Sequence, residues 1–341
     1  MTRVVETAKP TVALAIGDAA GIGPELAARL LVDPAVRTAA DLLVVGDGRV
    51  LQRGAAVAGV VVGIPRVSRA EDISADGSVL LDLGHLDPDS IALGQAAAAG
   101  GRFALENFRT SLRLAAAGRV GAVCFTPFNK AAMRMADPAY TDEIGFVSSL
   151  LDVHTPASEF NILEGLWNAR VTSHLPLSAV AGMITRDRVL HSIVLTHHSL
   201  LAAGIEQPRI AVAALNPHAG DGGNFGHEEQ AEIGPAVADA RAAGILADGP
   251  YPADTVYVRA TKGAFDAVLS MYHDQGQIAM KLIGFDRGVT VLGGFPFPIC
   301  TPSHGSAYDI AGKGIANPGA SRAALLMAAR MAARRANPAT P

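Results

Sequence analysis

The stretch TVALAIGDAAGIGPELAARLLV, residues 11–32, carries the pattern that decides the fold class. Thr11–Ile16 is an apolar run of strand length, Gly17–Gly23 is a glycine-rich turn, and Pro24–Leu31 has the spacing of a helix. Proline is tolerated in the first turn of a helix, where its missing N–H has no intrahelical partner to lose. The same order recurs along the chain. Leu42–Val45, Val120–Phe125, Arg209–Leu215, Ala267–Met271 and Thr290–Leu292 read as further strands, followed by turns and Ala/Leu-rich helical stretches. Strands alternating with helices predict a largely parallel α/β sheet with functional groups at the carboxyl ends of its strands. Composition agrees. Half of the residues are hydrophobic but only 5% are aromatic, so the core is built of Val, Leu, Ile and Ala, which suits helices on a parallel sheet.

Charge and patterning narrow the function classes. The net charge is −4 and the only basic block is Arg330, Arg334 and Arg335 near the end, so a nucleic-acid partner is not expected. No apolar run reaches the ~18 residues of a membrane span, and Thr11–Ile16 is too short for a signal peptide. A cytoplasmic protein is expected. Cys124 and Cys300, each inside an apolar run, read as buried free thiols of a reducing compartment.

The polar residues that follow strands carry the chemistry. Asp18, Thr126 with Lys130, His218 and His273 each follow a strand and are expected to share one cleft. Three of the ten histidines sit in turns, as Ser173-His174-Leu175-Pro176, Asn216-Pro217-His218-Ala219-Gly220 and Tyr272-His273-Asp274-Gln275-Gly276. Neutral imidazole is a good ligand for transition metals, and three protein ligands leave coordination positions for a substrate. A lone histidine is more often a structural group, and the spacing here matches no compact zinc motif. The turn Gly17–Glu25 is either a tight strand-to-helix connection or an anion site at a helix start; it lacks the full dinucleotide fingerprint. The glycines around His218 and Asp221 allow close backbone approach to a ligand. In Pro302–Pro318 the small residues 305–307 permit contact with a flat ligand, and Asp309 is placed to accept hydrogen bonds from ribose hydroxyls. Gly312-Lys313-Gly314 is not a phosphate loop, because no Ser or Thr follows the lysine.

In this order the segments GDAAGIGPE (17–25), VTSHLPL (171–177), LNPHAGDGGNFGHEE (215–229), PADT (252–255) and MYHDQGQIAMK (271–281) resemble the 4-hydroxythreonine-4-phosphate dehydrogenase family of vitamin B6 synthesis, over almost the whole chain. HGSAYDIAGKGIANP (304–318) is similar to the cofactor loop of isocitrate and isopropylmalate dehydrogenases. The resemblance implies a two-domain α/β/α sandwich of the isocitrate/isopropylmalate dehydrogenase-like type, with the active site in the interdomain cleft. The expected domains are 1–125 plus 286–341 on the cofactor side, and 126–285 for metal and dimerisation. It implies one divalent metal ion (Zn, Co, Mn or Mg) on His174, His218 and His273, drawn from both subunits of a homodimer. It also implies NAD on His304, Gly305, Ser306, Ala307, Asp309 and Asn317, with Asp309 at the ribose repelling the 2′-phosphate of NADP. Asp18, Glu143, Lys281, Thr290 and Ile299 are expected at the substrate, and Lys130, Asp254 and Asp274 as catalytic or histidine-orienting groups.

The departures from the family bear on the substrate. Where the family has His-Thr, Tyr140–Phe146 holds Glu143 and Ile144, and the family's later asparagine and arginine contacts fall on Thr290 and Ile299. At 143 and 144, donors suited to a phosphate are thus replaced by a carboxylate and an apolar group. The expected reaction is metal-assisted, NAD-linked oxidation of a secondary alcohol beside a carboxylate-bearing carbon, with decarboxylation. The expected substrate is a non-phosphorylated hydroxy or diol carboxylate, such as a cyclohexadiene diol carboxylate. The alternatives are a true 4-phosphohydroxy-L-threonine dehydrogenase and a non-catalytic small-molecule-binding protein.

Overall fold

A computed structural model describes residues 9–73, 77–163, 165–284 and 287–336. The chain divides into two compact units, Met1–His154 with Phe295–Pro341, and Thr155–Gly294. The first boundary lies later than the expected 125/126. The helix Lys130–Ala136 packs against the helix Ala98–Ala116 of the first unit, so closely that a Cβ on Gly101 would meet the Ala132 carbonyl oxygen at 1.9 Å. Lys130 and Glu143 therefore belong to the first unit. The expected boundary at 285/286 lies outside the described residues.

The strands are β1 (Thr11–Ala15), β2 (Asp41–Gly46), β3 (Arg66–Val67), β4 (Val79–Asp82), β5 (Ala122–Phe125), β6 (Ser158–Leu163), β7 (Leu166–Arg170), β8 (Ile210–Ala213), β9 (Ala247–Tyr251), β10 (Ala267–Ser270), β11 (Val289–Gly293) and β12 (Ile299–Pro302). In the first unit they run β3-β4-β2-β1-β5-β12, with all five pairings parallel. β1 and β5 are buried along nearly their whole length, as expected of strands covered by helices on both faces. In the second unit the order is β11-β6-β7-β10-β8-β9. There β11–β6 and β6–β7 are antiparallel, while β7, β10, β8 and β9 are parallel.

This topology places the chemistry. β1, β5 and β12 are parallel neighbours, so the segments after them leave from one end of the first unit's sheet. β7, β10 and β8 do the same in the second unit, and the segments after them carry His174, His273 and His218. The strand ends expected in one cleft thus form two sets, one in each unit. Side-chain caps begin several helices. Asp33, Asp47, Asn129 and Asp142 each accept a backbone N–H of the first turn. Among the described residues no helix is long and apolar enough to cross a membrane. Cys124 and Cys300 face each other across β5 and β12 as buried free thiols, and burial pushes the Cys124 thiol up to about 12.

Candidate active site

In the first unit the glycine turn after β1 is held by its neighbours. Thr126 Oγ1 accepts the Gly17 N–H at 2.8 Å, and a Cβ on Gly17 would sit 2.2 Å from the Thr126 carbonyl oxygen. A Cβ on Gly21 would lie 2.6 Å from the Ser306 carbonyl oxygen, which accepts the Ile22 N–H at 3.0 Å. Of the two readings of this turn, the structure favours the tight connection. The N-terminus of the helix Gly23–Val32 is closed by the segment after β12. Glu25 and Arg29 of that helix pin the same segment further along, at the Ala316 N–H (3.0 Å) and the Gly314 carbonyl (2.7 Å).

Asp18 is almost completely buried. It accepts hydrogen bonds from the Tyr308 hydroxyl and the Ala20 N–H. Burial raises its pKa, and the Tyr308 hydrogen bond opposes that shift. Its expected role at a substrate becomes, on this geometry, a tie between the glycine turn and the segment 304–309. In that segment Ala307 adopts a left-handed conformation (φ 43°), a strained state for a residue with a Cβ. Ser306 is buried, Asp309 and Asn317 are exposed, and a Cβ on Gly305 would meet nothing. An open backbone at Gly305 beside an exposed Asp309 carboxylate fits a flat nucleotide with ribose hydroxyls.

Lys130 forms an ion pair with Glu143 (Nζ to Oε2, 3.0 Å), and the Glu143 side chain is largely buried. Burial and the Glu143 charge both push the nearby Tyr140 hydroxyl up. Ile299 corrects an expectation. It is fully buried within β12, pairing with Val123, and belongs to the core rather than to a ligand surface.

In the second unit His174 and His273 come together, with ring centroids 5.5 Å apart. Asp274 Oδ1 lies 2.7 Å from His273 Nδ1, an arrangement that would leave Nε2 as the nitrogen available to a metal. Asp254 is exposed in the first turn of the helix Ala253–Ala260, and among the described residues it makes no hydrogen bond to a histidine. Lys281 is exposed on the helix His273–Gly284, and Thr290 is buried in β11. His218 is exposed beside Phe225. Among the described residues, no three His, Cys, Asp or Glu side chains gather to hold a metal ion within one chain. One chain therefore brings together two of the three expected ligands, and imidazole donors of this kind suit a transition metal.

His218 sits in an unusual turn. Residues 218–222 all have positive φ, and three of them, His218, Ala219 and Asp221, are not glycine. A buried carboxylate braces the turn. Glu229 Oε1 accepts the Leu215 and Asn216 N–H groups at 2.9 and 2.7 Å, and Oε2 accepts Asn216 Nδ2 at 3.0 Å. Gln275 ties two histidine-bearing strand ends. Its Oε1 accepts the Met271 N–H at 2.7 Å and its Nε2 donates to the Ala214 carbonyl at 2.8 Å. Thr172 joins the third, donating to the Met271 carbonyl at 2.8 Å. Glu25, Tyr308, Glu229 and Gln275 escaped sequence reasoning. Only the glutamates gave a local signal, one in a helix first turn and one closing a glycine loop.

The chain is similar over most of its length to known proteins. The model of the family described as pyridoxal phosphate biosynthetic protein PdxA matches residues 38–328. A Rhizobium meliloti protein named "Putative 4-hydroxythreonine-4-phosphate dehydrogenase 2" is 56% identical over 96% of this chain and 94% of its own length. The crystal structure of a 4-hydroxythreonine-4-phosphate dehydrogenase from Klebsiella pneumoniae is 33% identical, with a TM-score of 0.84 over 96% of this chain and 99% of that one. That of a terephthalate 1,2-cis-dihydrodiol dehydrogenase from Burkholderia xenovorans is 29% identical, with a TM-score of 0.65 over 91% and 94%.

Proposed function

From the premise that the chain belongs to the PdxA family and is a dehydrogenase acting on CH–OH, we propose that it uses NAD and one divalent metal to oxidise a secondary alcohol of a short hydroxy acid. The observation that carries this reading is the His174–His273 pair, oriented by Asp274 and set at neighbouring ends of β7 and β10. His218 completes the ligand set, with a second copy of the chain contributing to it. The exposed apolar residues around the histidine segments support such a pairing. Leu175 and Leu177 follow His174, while Ile278 and Leu282, the latter 84% exposed, lie on the helix that His273 begins.

When bound, the metal supplies Lewis acidity at the substrate's hydroxyl oxygen and NAD supplies a hydride acceptor. The chain's own residues do the rest. Asp274 holds the His273 ring in its tautomer. Lys281 offers a positive charge to the substrate's carboxylate. Asp309 accepts the ribose hydroxyls of NAD, and Tyr308, through Asp18, holds that segment against the glycine turn.

The names of the R. meliloti and K. pneumoniae proteins favour a phosphorylated substrate such as 4-phosphohydroxythreonine, over the non-phosphorylated one expected from the departures. One observation favours the second reading. One cation that reaches the altered segment, Lys130, is already paired with Glu143, and a phosphate approaching it would meet that carboxylate. The likeness to the terephthalate dihydrodiol dehydrogenase is in keeping with this. Following NADH formation across 4-phosphohydroxythreonine, phosphorylated and free threonate, and diol carboxylates separates them. Turnover of phosphorylated substrates alone supports the first reading, and turnover of diol carboxylates alone supports the second.

A further inference from the structure

We propose that Arg170 is a positioning residue that sets the spacing of His174 and His273 through a buried hydrogen-bond network; this rests on the reading of those histidines as metal ligands. Arg170 is the last residue of β7, and its side chain is about 1% exposed. Its guanidinium makes three hydrogen bonds in three directions. Nη2 donates to Glu159 Oε2 at 2.8 Å, Nη1 to Asn161 Oδ1 at 2.7 Å and Nε to Ser173 Oγ at 3.1 Å. Ser173 immediately precedes His174. Asn161 Oδ1 also accepts from Gln277 Nε2 at 2.6 Å. Gln277 lies four residues after His273 on the same helix, hence on the same face. With two donors on its oxygen, the Asn161 amide has one orientation, and its Nδ2 donates to Thr290 Oγ1 at 3.2 Å. One guanidinium thus connects the segment that carries His174 to the helix that begins with His273.

The residue type matters. Only a planar fork offers donors in three fixed directions; a lysine ammonium is a point charge on a flexible stem. A buried ion pair is a poor device for stability, because well-packed apolar residues of similar volume often do as well or better. Burial lowers the Arg170 pKa and Glu159 opposes the shift, so the charge is kept here against a desolvation cost. What the network adds is orientation: both histidine-bearing segments are fixed to one rigid group at the end of β7. Partners that orient metal ligands from behind typically change metal affinity by about 10- to 100-fold when removed.

The test uses the full-length protein, Co2+ as probe, and the variants Arg170→Lys and Glu159→Gln/Arg170→Met, the second removing both charges together. Three quantities are measured: Co2+ affinity by chelator competition, the visible spectrum of the Co2+ form, and metal-free melting temperature. His174→Ala is the control for the metal reading. The proposal expects both variants to lose about 10- to 100-fold in Co2+ affinity with an altered spectrum, while the double variant melts close to the unmutated protein. Unchanged affinity and spectrum in a folded variant would overturn it. If the unmutated protein binds no Co2+, or His174→Ala binds it as well, the metal reading itself falls and the inference falls with it.

Discussion

Replacing Glu229 should loosen the turn that carries His218, and the size of the effect follows from its partners. Three non-glycine residues of that turn, His218, Ala219 and Asp221, are left-handed, at about 1–2 kcal/mol each. The turn therefore holds roughly 3–6 kcal/mol of backbone strain, and something must offset it. Glu229 accepts two backbone N–H groups and one side-chain amide, and hydrogen bonds to a charged acceptor contribute about 1.5–3 kcal/mol each. The two magnitudes are comparable, so the carboxylate is what keeps the turn in place. Glu229→Ala strands two backbone donors and should cost about 3–5 kcal/mol in urea unfolding. Glu229→Gln keeps Oε1 as an acceptor but turns a donor toward Asn216 Nδ2, and should cost about 1–2 kcal/mol. Both variants should bind Co2+ more weakly than the unmutated protein. A Glu229→Ala protein within 1 kcal/mol of the original, or a glutamine variant as unstable as the alanine one, would refute the reasoning.

Three further outcomes are expected. Asp18 has a raised pKa in the folded state, so its contribution to stability is fully present below the unfolded carboxylate pKa and is lost as pH rises toward the folded one; Asp18→Asn should flatten the melting-temperature profile on that rising side, and an unchanged profile would count against the assignment. Glu143→Gln removes the charge paired with Lys130 and should lower the KM for a phosphorylated substrate by about tenfold relative to a non-phosphorylated one; equal changes in both would show that the pair does not read the phosphate. Cys124 and Cys300, buried and shifted up, should react with a thiol reagent only after unfolding, and labelling of the native protein would contradict their placement.

What the sequence made legible was local. Apolar runs bounded by glycine turns marked β1, β2, β5, β8, β10 and β11 to within a residue or two, because a strand buried on both faces leaves a continuous apolar stretch. The strand ends bearing His218 and His273 were found for the same reason. Pairings between distant residues were not legible. Arg170 reads in sequence as an ordinary polar residue among apolar ones, and nothing near it announces Glu159, Asn161 and Gln277. The glycine turn was open to two readings because its closure depends on Thr126 and Ser306, more than a hundred residues away. Resemblance puts Ile299 at the substrate, but it is fully buried in its strand and has no free face to offer a ligand. The first domain boundary moved because the packing of the helix Lys130–Ala136 is a tertiary fact.

The central claim is a metal-dependent, NAD-linked oxidation at the histidine set. Its most direct test measures divalent metal content in the purified protein and in His218→Ala, together with NADH formation over the substrate panel before and after chelation. The account predicts one metal per active site, its loss in the variant, and NADH formation that chelation abolishes and added metal restores. Metal bound equally by both proteins, or turnover indifferent to chelation, would contradict it.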